Sequence, residues 1–207
     1  MTGQTDDDHL KNLEAVLTRL EEAGMRLKRK KCAFMLKRVE YLGHQISAEG
    51  LQPTQEKVRA ILDAPTPQNV SQLRAFLGLI NYYGKFLAHL SSTLAPLYKL
   101  LEKKSKWIWG KDQEKAFQMA KKQLISPCLL THYDPQKEVI LSCDASPYGV
   151  GAVLSHKTEE GEKPIAFASR SLTAAEKKYA QLDKEGLAIV FGVRKFHDYL
   201  FGRKFKI

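Results

Sequence analysis

The stretch from residue 139 to residue 168 constrains the fold more than any other, because it alternates, turns and alternates again. "VILSC" (139–143) reads as a strand, and Pro147 and Gly149 mark a turn. "VGAVLS" (150–155) reads as a second strand, and a Glu-Gly turn near Gly161 leads to a third over 164–168. "TAAE" then places Thr173 and Glu176 at capping-box spacing. The period beyond it predicts one very long helix, with Ala175, Tyr179, Leu182, Gly186, Ile189, Val193, Phe196 and Leu200 as its inward stripe. Gly202 closes that helix, and "KFKI" begins a fourth strand. A strand-rich segment with a crossover helix points to an α/β (α+β) fold.

Two carboxylates stand out against this pattern. Asp144 ends the first strand and shares a face with Ile140 and Ser142 by alternation. Glu185 lies about 40° from Ile189 around the helix and borders the predicted stripe, while Asp183 is about 200° from Glu185 and faces water. A strand-end Asp and a helix-edge Glu suit shared coordination of a hard divalent cation. The spacing equally allows Asp144 to cap its own turn through the following amides, and Glu185 to pair with a lysine. Residues and spacing leave both readings open.

Upstream the period is helical. Thr5 caps a first helix whose apolar set is Leu10, Leu13, Val16, Leu17 and Leu20, with Gly24 at its end. Asp6, Asp7 and Asp8 read as partners of the helix macrodipole and not as a metal cluster. Between Arg26 and Arg38 lie seven Lys or Arg residues, including Lys28, Arg29, Lys30 and Lys31, a footprint suited to phosphates. "VEYLGHQIS" has the content of a strand pair. "TQEKVRAILDA" opens at Thr54 and is stopped by Pro65 and Pro67. A longer helix from Asn69 or Ser71 is predicted to run through Leu73, Phe76, Leu77 and Ile80 as far as Leu90. Beside its apolar side runs a second stripe of Arg74, Gly78, Asn81, Tyr82 and Lys85. Glycine costs about 1 kcal/mol in a helix interior, so Gly78 points either to a solvated face or to close approach by another backbone. A last helix before the strands turns Ala116, Phe117, Ala120 and Leu124 inward and ends at Pro127, with Trp107 and Trp109 as packing residues.

The chain has 207 residues and a formal net charge of +10, which favours a polyanionic partner. No apolar run approaches the roughly 20 residues of a membrane span, and the start is polar and acidic, so the expectation is a soluble intracellular chain, cytoplasmic or nuclear. Cys32, Cys128 and Cys143 are widely spaced, with no zinc or disulfide pattern.

From Leu141 onward, "CDASPYGVGAVLSH", "KPIAFASRSLTAAEKKY", "DKEGLAIV" and "KFHDYLFGRKFKI" resemble the ribonuclease H domain of the Pol polyprotein of gypsy-type LTR retrotransposons. "RKKCAFMLKRVEYLGHQISAEGL" resembles the end of the reverse transcriptase palm of the same polyproteins, and "VSQLRAFLGLINYYGKFL" and "FQMAKKQLISPCLL" its thumb and connection. The resemblance implies a palm remnant with the primer-grip turn over 1–50, a helical thumb and connection over 51–132, and a ribonuclease H-like mixed sheet with one long helix over 133–207.

Residue by residue, it implies that Asp144 and Glu185 are metal-binding acids of a two-ion Mg²⁺ site and that Leu42, Gly43 and His44 form the primer grip. Arg74, Gly78 and Tyr82 then track the groove of a primer-template duplex or RNA:DNA hybrid. The family's Tyr-x-Asp-Asp polymerase motif belongs before "TGQTDDDHL", and its third nuclease aspartate, in a Thr-Asp-His motif, follows the fourth strand. The expectation is a Pol fragment whose parent synthesises DNA on RNA and hydrolyses the RNA of the hybrid, with the remainder of Pol as a partner. The rival expectations are a non-catalytic template-primer binding module and an inert remnant.

Overall fold

The computed structural model describes Gly3, residues 5–102 and residues 105–207. The chain divides into two compact units, Met1–Lys37 and Arg38–Ile207.

In the first unit, α1 (Asp6–Glu22) begins where the Asp8 amide donates to Thr5 Oγ1 at 3.2 Å, with Asp6, Asp7 and Asp8 in the positively polarised first turn. It ends as predicted: Gly24 takes φ +69°, its amide reaches Glu21 O, and the Met25 amide reaches Leu20 O, a Schellman closure. No residue of α1 is buried; Leu10, Val16 and Leu17 are exposed. A 3₁₀ turn at Arg29–Lys31 follows.

The second unit starts with an antiparallel meander of β1 (Arg38–Tyr41), β2 (His44–Ser47) and β3 (Gly50–Pro53). The sequence pattern marks only the first two strands, since β3 is four residues bounded by glycine and proline. α2 (Gln55–Leu62) follows Thr54, whose side chain makes no capping bond. Instead Lys121 Nζ reaches back to Leu62 O at 2.8 Å and holds the other end of α2. α3 (Val70–Tyr82) is capped by Asn69, which accepts from the Gln72 amide at 3.0 Å.

α3 does not continue to Leu90. It stops at Tyr82, a 3₁₀ turn takes Gly84–Phe86, His89 adopts φ 52°, and a separate helix, α4 (Leu90–Lys99), follows. Phe86, Leu87 and Leu90 are still buried, so the apolar spacing runs on through a break in the helix. α5 (Lys111–Ile125) buries Ala116, Phe117, Ala120 and Leu124 as expected. Leu73, Ile80, Leu94, Leu97 and Leu124 reach 0 % exposure in this helical core, each stabilising by roughly 1.5–3 kcal/mol. Trp107 and Trp109 pack half-buried against it.

The second sheet pairs β4 (Val139–Ala145), β5 (Gly149–Thr158) and β6 (Gly161–Ser171) antiparallel in that order. Lys206 adds a parallel bridge to Ile140, with Leu141 N donating to Lys206 O at 2.8 Å and Lys206 N to Val139 O at 3.0 Å, so the sheet is mixed. Thr173 and Glu176 do form their capping box, but around a single 3₁₀ turn (Glu176–Lys178). Tyr179 and Ala180 are extended, and the helix proper is α6 (Gln181–Lys195), followed by α7 (His197–Leu200).

The buried side of α6 is Lys184, Ala188 and Gly192, whereas Leu182 of the predicted stripe is 82 % exposed. The cause is close packing. A Cβ at Gly192 would lie 2.8 Å from Cys143 Sγ and 3.0 Å from Ala152 Cβ, so the helix rests on the sheet through its smallest residues. The opposite face of the sheet carries Phe167, packed against the helical core with α4 alongside. The result is a helix, sheet, helix layering. Among the described residues no helix is long and apolar enough to cross a membrane.

Candidate functional site

Asp144 is the penultimate residue of β4, opposite Gly151 of β5. Val139, Leu141 and Ala145 point into the core, so alternation turns Asp144 to the other face. The turn that follows is held by its neighbour: Ser146 Oγ accepts from the amides of Tyr148 at 3.2 Å and Gly149 at 3.0 Å. Asp144 therefore has no capping task. Its Oδ2 lies 3.7 Å from His89 Nδ1, both side chains mostly exposed.

Glu185 sits on α6 about 20° from Gly192 at 100° per residue, at the margin of the face that meets the sheet. Its Oε1 accepts from Gln181 Nε2 at 2.5 Å, and the same amide donates to Ala145 O at 3.0 Å. Gln181 thus ties Glu185 to the residue after Asp144, at one end of the sheet. Glu185 makes no ion pair with a lysine among the described residues. Both carboxylates offer hard oxygen donors, and two such ligands suit a Mg²⁺ ion that keeps most of its waters. Among the described residues no group of three or more His, Cys, Asp or Glu is arranged to hold a metal.

The second cluster joins segments 40 residues apart in sequence. Leu42 and Gly43 both take positive φ, 48° and 72°, the backbone of a tight primed hairpin turn between β1 and β2. α3 closes over it: Tyr82 Oη donates to Leu42 O at 2.5 Å and Tyr83 Oη to Gly43 O at 3.3 Å. His44 stacks on Tyr82 at 5.3 Å and meets Tyr83 and Phe86 at 5.7 and 5.5 Å. Burial, aided by the Lys85 charge, holds the His44 pKa below its ordinary value, and burial also lowers that of Lys85. Its Nδ1 is buried with no hydrogen-bond partner among the described residues.

Arg74 and Gly78 lie on the same helix, both exposed. A Cβ at Gly78 would meet nothing within 4 Å, so no contact among the described residues requires glycine there. Lys28, Arg29, Lys30 and Lys31 are exposed in the first unit, where the Arg29 guanidinium lies 5.1 Å from the Phe34 ring centroid. Gln181 was legible in principle, as the i−4 neighbour of Glu185 on one helix face. Tyr83 falls next to the polar stripe, and His89 has no periodic or motif signal.

Residues 109–207 match the family described as the RNase H-like domain found in reverse transcriptase. Over 199 residues the chain is 35 % identical to the Transposon Tf2-3 polyprotein of Schizosaccharomyces pombe, which covers 96 % of this chain and 15 % of the polyprotein. The Tf2-4 polyprotein of the same yeast gives the same figures. Among solved structures, the foamy viral protease-reverse transcriptase dRH in complex with double-stranded DNA superposes with a TM-score of 0.86 at 28 % identity, over 99 % of this chain and 36 % of that one. The foamy viral protease-reverse transcriptase in complex with RNA/DNA hybrid gives 0.85 at 28 % identity, over 99 % of this chain and 28 % of that one. The chain thus spans a minor part of each relative. Residues 109–207 therefore include an RNase H-like domain of the type found in the reverse transcriptases of retrotransposon and retroviral polyproteins.

Proposed function

We propose that this chain is the part of a gypsy-type Pol polyprotein that holds an RNA:DNA hybrid or primer-template duplex and hydrolyses RNA within the hybrid. In this reading residues 1–50 end the reverse transcriptase palm, 51–132 are thumb and connection, and 133–207 are the nuclease-like domain. The hairpin turn at Leu42, Gly43 and His44 and the α3 face of Arg74, Gly78 and Tyr82 make one surface for the duplex. The basic run Lys28 to Lys31, in the first unit, is a phosphate-binding segment of its own. The complexes of the foamy viral relatives with DNA and with hybrid support a duplex as ligand.

The observation that supports the hydrolytic part is Gln181, whose side-chain amide donates both to Glu185 Oε1 and to the carbonyl of Ala145, the residue after Asp144. Asp144 and Glu185 would hold Mg²⁺, which when bound activates water and neutralises the leaving oxygen. Asp144, exposed and without a capping bond, faces the substrate side, and Gln181 orients Glu185. Cleavage of the RNA strand of a hybrid by the full chain is expected to require Mg²⁺. It should fall about a hundredfold or more in Asp144→Asn, the loss expected when a metal ligand worth several kcal/mol is removed. Equal cleavage by that variant would sink the assignment.

A further inference from the structure

The seam between α4 and the second sheet holds a residue with no motif of its own. Asp144, Gly151 and Ser169 are direct cross-strand partners and form one row on the sheet face turned away from α6. The start of α4 touches both ends of this row. At one end the Ser91 amide donates to Ser169 Oγ at 3.1 Å; at the other His89 Nδ1 lies 3.7 Å from Asp144 Oδ2. Gly151, between them, has no side chain to interfere. Ser92 Oγ and Ser146 Oγ, 2.8 Å apart, tie the same helix start to the turn after Asp144. A Cβ at Gly149 would fall 2.4 Å from Ser91 Oγ and 2.7 Å from Arg170 O, so only glycine lets α4 come this close.

The backbone of His89 is fixed by this docking. It sits in the left-handed region at φ 52°, unfavourable for a residue with a side chain, while its carbonyl accepts from the amides of Ser92 and Thr93 at 3.1 and 3.2 Å. The surrounding contacts over-determine a strained conformation, and that conformation places the imidazole beside the carboxylate.

We propose that His89 is a positioning residue for Asp144. It holds Oδ2 on the α4 side of the sheet and leaves Oδ1, which accepts from no protein donor among the described residues, for a divalent cation. The inference rests on the reading of Asp144 as a metal ligand. An exposed pair at this separation contributes little stability, so its consequence is orientation. Partners that orient metal-binding side chains change metal affinity by about 10- to 100-fold.

The test uses the full chain, isotope-labelled, with Mn²⁺ as a paramagnetic probe and the line broadening of the amides of residues 144–145 as the readout. His89→Gly suits the left-handed backbone, so it should fold with an unchanged or raised Tm while the broadening midpoint moves to about tenfold higher Mn²⁺. His89→Asn, which tolerates the same backbone and supplies an amide donor, is expected to restore most of the affinity. Asp144→Asn, measured alongside, should abolish the local broadening. An unchanged midpoint in His89→Gly, with broadening lost in Asp144→Asn, overturns the role of His89 and leaves that of Asp144 standing. Broadening that persists in Asp144→Asn overturns both.

Discussion

Gly78 separates stability from binding at a single position. An alanine there meets nothing within 4 Å and removes the helix cost of glycine, so Gly78→Ala should stabilise the free chain by about 0.5–1 kcal/mol. If a duplex strand lies against α3, the same methyl group occupies its space, and hybrid affinity should fall. Urea unfolding and a binding titration on one preparation check the pair; affinity that is unchanged while stability rises would show that Gly78 faces only solvent. His44 makes a different prediction. Its folded pKa lies below the ordinary 6.5 because burial, and then Lys85, disfavour the imidazolium. The unfolded chain therefore binds the proton first. The stability contributed by neutral His44 is present above about pH 6.5 and is lost as pH falls through the lowered folded value. Tm measured from pH 7.5 to 5.5 should drop less in His44→Phe, which keeps an aromatic ring against Tyr82.

At the scale of elements, two glycines of α6 should behave oppositely. Gly192→Ala drives a methyl group into Cys143, Ala152 and Leu141, and overpacking of this kind costs about 1–3 kcal/mol. Gly186→Ala meets open space and should stabilise by about 0.5–1 kcal/mol. Chemical denaturation of both variants reads the orientation of α6; similar effects at the two positions would contradict it. This orientation was the least legible feature of the sequence. Large residues such as Leu182 and Ile189 mark an apolar stripe by period, yet a helix packed closely on a sheet turns Ala188 and Gly192 inward, where periodicity gives them little weight. α5 was legible because its inward residues include Phe117 and Leu124, and the β4–β5–β6 hairpins because alternation and turn residues agree. The end of α3 was not, since Phe86, Leu87 and Leu90 keep helical spacing across a 3₁₀ turn. Asp144 and Glu185 could be picked out from strand end and helix edge, but the link from Glu185 to the end of β4 runs through Gln181, and His89 reaches Asp144 only through the docking of α4.

For the whole molecule, charge sets the expected mode of association. A chain of net +10 that grips phosphates should bind hybrid with a log affinity that falls linearly with log salt, by about 0.9 for each phosphate neutralised. Arg74→Ala should flatten that slope by about 1 and weaken binding evenly across sequences. Affinity that does not respond to salt would rule out the basic surface as the source of binding.

The seam also has a kinetic meaning. Every strand pair of the two meanders joins neighbours in sequence and can close as it emerges from the ribosome, whereas the Ser91 amide waits for Ser169, 78 residues later. At about 5–20 residues per second the nascent helical layer would go roughly 4–16 s without the sheet against which α4 rests. During that interval chaperones and proteases would meet the helix start of His89, Ser91 and Ser92 bare. A stretch of polypeptide synthesised later thus shelters a segment made long before it.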